Sequence, residues 1–152
     1  MVPLNLPPRQ LRLEVDSDGR TCVFDPLRRK LVLLTPEEWV RQHFVAHLVG
    51  DLGYPLPLMA NEVAVNLNGL RRRCDTVVWN RTDASPLVIV EYKAPSVEIT
   101  AKVFDQIARY NMVLMAPYLI VSNGLHHFCC RLDPASRTYT FLPSIPPYAS
   151  IL

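Results

Sequence analysis

Pro86-Leu-Val-Ile-Val-Glu-Tyr-Lys-Ala-Pro95 is the stretch on which the reading of this chain turns. Five apolar residues run from Pro86 to Val90, three of them β-branched, and prolines bound the segment, the composition of a buried strand. Such a strand should not end in charge, yet Glu91 and Lys93 close this one. Side chains two positions apart on a strand share a face, about 7 Å apart along it, while Tyr92 turns the other way. A carboxylate and an ammonium therefore stand side by side at the rim of a core sheet. Alone, Glu-x-Lys reads as a strand end reaching water. Asp75 on the strand before, with Gln106 and Tyr110 on the helix after, gives it more meaning.

Upstream, Glu62 to Leu67 alternates, Asn68-Gly69 has the chemistry of a type I′ hairpin turn, and Leu70 to Trp79 is the returning strand. Asp75 leads into Thr-Val-Val-Trp and so enters buried territory, where a charge needs a partner. A neighbouring arginine, Arg71 or Arg73, is one candidate. The polar turn Asn80 to Ser85 is short, which makes the Asp75 and Glu91 strands antiparallel neighbours. Only a staggered register then brings Asp75 to the Glu91 end.

Thr35-Pro-Glu-Glu38 opens the first helix: Thr35 as N-cap, Pro36 where a missing N–H costs nothing, and Thr-x-x-Glu as a capping box. Apolar residues at 40, 44, 45, 48, 49 and 52 keep helical spacing, with Gly53 as the expected stop. His43 and His47 are one turn apart, but no third metal ligand is signalled nearby, and exposed helix histidines are the plainer reading. Downstream, Thr100 caps a helix to about Leu114 that packs through Val103, Phe104, Ile107, Ala108, Leu114 and Met115, with Gln106 and Tyr110 facing one way. Strands follow at Tyr118–Ser122, Leu125–Leu132 and Tyr139–Leu142. His126, His127, Cys129 and Cys130 alternate across a strand, so the four cannot converge on one ion. Before the first helix, Leu11–Val15 and Thr21–Phe24 read as a hairpin around Asp16-Ser-Asp-Gly19, and Lys30–Leu34 as a third strand. The proline-rich first ten residues read as an arm on the surface or on a partner.

At 152 residues the chain fits one domain, long enough to bury roughly two-thirds of its unfolded surface. We expect a single unit over 1–152, with arm and hairpin at 1–34 and core at 35–142. No apolar run approaches the ~20 residues of a membrane helix, and the N-terminus lacks the pattern of a signal peptide. Four cysteines without C-x-x-C spacing argue against a zinc site or disulfide framework and for reduced thiols in the cytoplasm. The net charge of +2 is too small to announce nucleic acid. Two compact basic triplets, Arg28-Arg29-Lys30 and Arg71-Arg72-Arg73, are more suggestive, although a solvated loop or strand edge also accounts for either.

Taken in order, Glu38, Asp75, Glu91-x-Lys93 and Gln106-x-x-x-Tyr110 on helix–strand–strand–helix resemble the PD-(D/E)xK nuclease superfamily. Within it the chain resembles the N-terminal nuclease domain of the type I restriction enzyme R subunit, as carried by small stand-alone proteins. The likeness runs from Phe24 through Leu132 and includes the Thr35-to-Gln42 opening; Cys74 stands where proline usually precedes the aspartate. The resemblance implies an α/β, restriction-endonuclease-like core, a central mixed β-sheet flanked by two helices with an N-terminal β-hairpin added. It implies Mg²⁺, with Mn²⁺ as a substitute, held by Asp75 and Glu91 and by the Tyr92 carbonyl. Lys93 would act on the attacking water and the phosphate, and Glu38 in the outer shell or on a second ion. Glu37 takes that place if the helix is rotated by one position, and Glu38 otherwise remains only a cap. Gln106 and Tyr110 would orient Lys93 or touch a phosphate. The basic triplets, Arg71, Arg72 and Arg73 foremost, together with Lys102, would supply sequence-independent binding.

The implied activity is hydrolysis of DNA phosphodiester bonds, restriction-type, in the cytoplasm. The implied partners are DNA and restriction-system or helicase subunits, with no membrane and a homodimer left open. No motor is expected after the nuclease segment, so any coupling to ATP-driven motion would come from another chain or be absent. The alternative is a non-catalytic nucleic-acid-binding or assembly module that keeps the fold.

Overall fold

The computed structural model describes residues 1–152 apart from the side chain of Leu67. The chain opens with a three-stranded antiparallel sheet, β1 (Leu13–Val15), β2 (Thr21–Asp25) and β3 (Lys30–Leu33), followed by α1 (Pro36–Gly50). The central sheet has six strands in sequence order: β4 (Met59–Leu67), β5 (Leu70–Trp79), β6 (Pro86–Tyr92), β7 (Tyr118–Ser122), β8 (His127–Asp133) and β9 (Thr138–Leu142). Only β6 and β7 pair in parallel, because α2 (Ala101–Met112) carries the chain back between them. This mixed sheet with its two helices is compatible with a restriction-endonuclease-like fold. Among the described residues no helix is long and apolar enough to cross a membrane.

Alternation along β6 builds the layers. Val88, Val90 and Tyr92 pack under α1 with Val40, Phe44 and Leu48, while Ile89 faces α2 with Phe104 and Ala108. Full burial of each large apolar side chain contributes about 1.5–3 kcal/mol, so this strand is fixed from both sides. The same alternation sends Glu91 toward α2. Cys129 and Cys130 likewise divide between the two core layers, and all four cysteines are free and buried.

The Thr35 hydroxyl accepts the Glu38 amide at 3.0 Å, and Pro36 follows at the first helical position, as the sequence led us to expect. The helix ends earlier than expected, at Gly50 with Asp51 as its cap, and Gly53 turns the chain afterwards at φ 75°. Asn68 and Gly69, at φ 50° and 79°, make the left-handed pair that a type I′ turn demands.

The first ten residues lie on the surface of the chain itself. Asn5 donates its amide to the Gly124 carbonyl at 2.8 Å, His127 Nε2 pairs with the Asn5 carbonyl at 2.8 Å, and the Trp39 indole donates to Val2 at 2.9 Å. Two expectations are corrected. His43 is buried against Trp39 instead of lying on an exposed face. Arg28 is no solvated loop residue: its guanidinium turns inward to the fully buried Asp25 and, at 2.6 Å, to Glu38.

Candidate active site

Register decides whether the acids meet. β5 pairs with β6 as Thr76↔Val90, Val77↔Ile89 and Val78↔Val88, and the pairing shifts between Val78 and Trp79. Continued by one residue, the register sets Asp75 opposite Glu91. β6 starts opposite Trp79 and ends at Tyr92, level with the middle of β5, so the first half of the long β5 overhangs with β4 as a projecting hairpin. The stagger that the sequence left open is present.

An open cleft of about 380 Å³ lies where β6 ends, lined by Asp75, Glu91, Tyr92 and Lys93, by Glu37 from α1, and by Val97, Val103, Gln106, Ile107, Tyr110 and Asn111. Asp75 Oδ2 accepts the Tyr92 backbone N–H at 2.8 Å, and no salt bridge joins it to Arg71 or Arg73. Arg73 instead pairs with Glu62 at 3.0 Å. Glu91 Oε1 is buried without a hydrogen-bond partner. Burial, and then the facing Asp75 carboxylate, raise the Glu91 pKa well above the ordinary 4.5. Burial and Asp75 also raise Glu37, against the lowering effect of Arg41 and Lys93. Cys74, beside Asp75, is pushed up to about 12 by burial, with Glu91 and Asp75 adding to it, and so stays a thiol.

The sequence-expected residues divide. Asp75, Glu91, Lys93, Gln106 and Tyr110 come together in the cleft; Glu38 does not line it. With Thr35 as cap, residue 37 turns toward the end of the sheet and residue 38 toward β2–β3. There the Glu38 carboxylate meets Arg28 at 2.6 Å, Arg41 at 3.0 Å and Gln42 at 3.0 Å. Glu37 is the acid from α1 that reaches the cleft. Nor does Glu38 close a reciprocal capping box, since its carboxylate is committed to these partners.

Tyr110 lies against the hairpin: its hydroxyl accepts the Arg73 amide at 3.3 Å, and Arg72 sits over its ring at 5.0 Å from the centroid while donating to the Tyr110 carbonyl. It fastens α2 to β5. Arg71 and Lys102 are exposed, and Arg71 makes no ion pair among the described residues.

Two residues were missed. Asn111 is 1% exposed, donates to the Ile107 carbonyl at 2.9 Å, and keeps its Oδ1 without a partner. Its sequence signal is an amide on the apolar stripe of α2, one turn from Ile107 and Ala108. Arg41 reaches the Asp75 carbonyl at 2.6 Å; a cation one turn beyond Glu37, among apolar neighbours, was its only trace.

Among the described residues no three His, Cys, Asp or Glu side chains are grouped to hold a metal ion. The donor set that exists is two facing carboxylates, one carrying a buried oxygen with no donor. That fits a hard cation such as Mg²⁺, which takes one or two carboxylates and fills its other positions from water and phosphate. An orphaned buried carboxylate oxygen is costly unless something positive meets it.

The family comparison agrees with this fold. Residues 36–146 match the family model described as type I restriction enzyme R protein N terminus, which spans well over half of the chain. The chain therefore belongs to that family, a nuclease-like domain of restriction enzymes. No curated protein matched the sequence.

Proposed function

We propose that the chain is a Mg²⁺-dependent endonuclease that hydrolyses DNA phosphodiester bonds. The observation that carries this reading is the facing of Asp75 and Glu91 across β5 and β6, with Lys93 in the same cleft. A like-charge pair in a partly dry site costs stability, and a fold keeps it where an ion is to be bound. Asp75 and Glu91 would hold that ion, and when bound it supplies Lewis acidity toward a phosphate oxygen and a lowered pKa for water. Lys93 offsets the charge that develops on the phosphate and steadies the attacking oxygen. Glu37, at the cleft wall, takes the outer role that the family resemblance gave to Glu38. Gln106, exposed at the rim, faces the incoming backbone. Arg71 on the projecting hairpin and Lys102 on α2 supply phosphate contacts, and restriction-system subunits are the natural protein partners.

Cleavage of plasmid DNA with Mg²⁺, with Mn²⁺ and with EDTA tests this, using Lys93→Ala as the control for contaminating nuclease. Wild type should cleave only with metal, and Lys93→Ala should lose two or more orders of magnitude, about the 10²–10³-fold or more expected for one electrostatic stabiliser. Metal-dependent binding should survive in the variant. Equal cleavage by both proteins would remove Lys93, and the reading with it. DNA binding without cleavage under either metal would identify a non-catalytic module.

A further inference from the structure

Among the described charged side chains only Asp25, on β2, is less exposed than Arg41, at 4%, and an ion so buried needs nearly all its donors engaged. Its Nη1 donates to the Asp75 carbonyl at 2.6 Å and its Nη2 to Glu62 Oε1 at 2.6 Å. Its Nε lies 3.0 Å from Glu38 Oε2, an ion contact off line for a hydrogen bond. The guanidinium also sits 5.5 Å from the centroid of the Tyr92 ring. Glu38 is held in turn by Arg28, and Arg28 by the buried Asp25. Charges of alternating sign thus run from β2 through α1 to β4, and they end on the peptide that carries Asp75.

That peptide lacks its ordinary ladder partner. Glu62 lies opposite Asp75, yet the pairing passes from Asn61↔Thr76 to Val63↔Cys74 without it, and Glu62 adopts φ 51°. Left-handed backbone at a non-glycine residue costs roughly 1–3 kcal/mol and persists only where the surroundings hold it. Arg41 and Arg73 both grip the Glu62 carboxylate. The Asp75 carbonyl draws its hydrogen bond from Arg41, and the Asp75 carboxylate is held from the other side by the Tyr92 amide.

We propose that Arg41 is a positioning residue of the cleft: by holding the Asp75 carbonyl and Glu62 it fixes where the Asp75 carboxylate stands against Glu91, and through Glu38 and Arg28 it ties that position to the N-terminal sheet. This rests on the reading of the cleft as a metal site. Arg41 touches neither ion nor substrate and acts through Asp75. The three-stranded sheet is then part of the support of the site, and no longer an addition to a self-sufficient core.

The competing role for Arg41 is that of a simple counter-charge beneath the acids, and the two roles forecast opposite results. Loss of a counter-charge makes the cleft more negative and tightens cation binding. Loss of positioning weakens it. Arg41→Lys keeps the charge but not the planar fork, while Arg41→Met removes both. Mn²⁺ titration by calorimetry on the full chain, with thermal melts in EDTA to verify folding, separates them. We expect both variants to bind Mn²⁺ more weakly, by about tenfold or more, the usual loss when a residue that orients a ligand is changed. Arg28→Lys, two links further out and more exposed, should weaken binding in the same direction by a smaller factor. Wild-type affinity in Arg41→Lys, or tighter binding by Arg41→Met, overturns the inference. If the Arg41 variants do not fold, Arg28→Lys decides, and unchanged Mn²⁺ affinity in it overturns the inference. Wild type that binds no Mn²⁺ fails at the metal reading itself, a result seen before any variant is made.

Discussion

Asp75 Oδ2 accepts the backbone N–H of Tyr92 at 2.8 Å, so a side-chain oxygen stands where the strand ladder would place a carbonyl. This bond ties the Asp75 carboxylate to the residue next to Glu91 and makes the approach of the two acids a property of the sheet. Beneath it, the Tyr92 ring turns to the opposite face. Thr76 has one hydroxyl proton, which it gives to Asn61 at 2.6 Å, so the Tyr92 hydroxyl must be the donor in their 2.9 Å contact. Asn61 then donates to Asp25 at 3.0 Å. A satisfied polar network of this kind is rigid, and a partly broken one is costly.

Asp75→Asn should stabilise the metal-free protein slightly, by up to about 1 kcal/mol, because it removes the charge facing Glu91 while an amide oxygen can still accept the Tyr92 N–H. It should also abolish the response to Mg²⁺. For wild type with a Kd near 1 mM, about 10 mM Mg²⁺ adds roughly 1.4 kcal/mol, a shift of a few degrees in Tm. Melts of both proteins in Mg²⁺ and in EDTA check this. Strong destabilisation of the metal-free variant would make Asp75 a structural residue.

The raised pKa of Glu91 fixes the sign of a pH effect. Its carboxyl binds its proton more tightly folded than unfolded, so its contribution to stability is full below the ordinary value of 4.5 and is lost as pH rises through the folded pKa. Glu37 acts in the same sense. Asp25 and Glu62 act oppositely: burial raises both, but hydrogen bonds to Arg28 and Arg41 outweigh it, so their contributions are lost as pH falls through their lowered pKa values. His43 and His127, both lowered by burial, oppose Glu91 in this window, since their contributions are lost as pH falls, so the effect of Glu91 is read against Glu91→Gln. In EDTA the urea midpoint of wild type, relative to that of Glu91→Gln, should be higher at about pH 5.5 than at about pH 8.5, and Mg²⁺ should erase most of that difference. The same pH dependence in both proteins would mean that Glu91 is not held against Asp75.

Much of the fold was legible because its signals are local. Thr35-Pro36 sets a helix start, Asn68-Gly69 a hairpin turn, and the Pro86-to-Val90 run a buried strand, each from chemistry within a few residues. What was not legible depends on docking. Whether Glu37 or Glu38 meets the cleft follows from a rotation of one residue about α1, and the partner of Glu38, Arg28, comes from a different sheet. Arg28 looked solvated because nothing in Arg28-Arg29-Lys30 shows that Asp25 is buried three residues earlier. The facing of Asp75 and Glu91 needed a register shift at Val78/Trp79 that no spacing announces.

Thr35→Ala and Glu38→Ala separate the cap from the charge network. The cap is the Thr35 hydroxyl, so its loss should cost about 1 kcal/mol. Removing Glu38 leaves Arg28 and the buried Arg41 each short of a carboxylate, which should cost roughly 3–5 kcal/mol. Urea denaturation of both variants is the measurement. Equal, small costs would mean that the network contributes nothing beyond the cap.

Arg71 and Arg73 should differ in their effect on DNA binding although they lie two residues apart on one strand. Arg73 is already paired with Glu62, and its charge is largely compensated before any ligand arrives. Arg71 is exposed on the projecting hairpin without an ion pair among the described residues. A cation that neutralises a phosphate releases condensed counterions, so each such contact adds about 0.9 to the slope of log affinity against log salt. Arg71→Ala should lower affinity for duplex DNA of any sequence and reduce that slope by about one. Arg73→Ala should change the slope less, and its larger effect should fall on stability, because it leaves the left-handed Glu62 held by Arg41 alone. Fluorescence anisotropy across a salt series, in EDTA to prevent cleavage, reads both. If Arg73→Ala takes the slope down by one and Arg71→Ala leaves it unchanged, the DNA runs along the Glu62 side of the hairpin and the Arg73–Glu62 pair opens on binding.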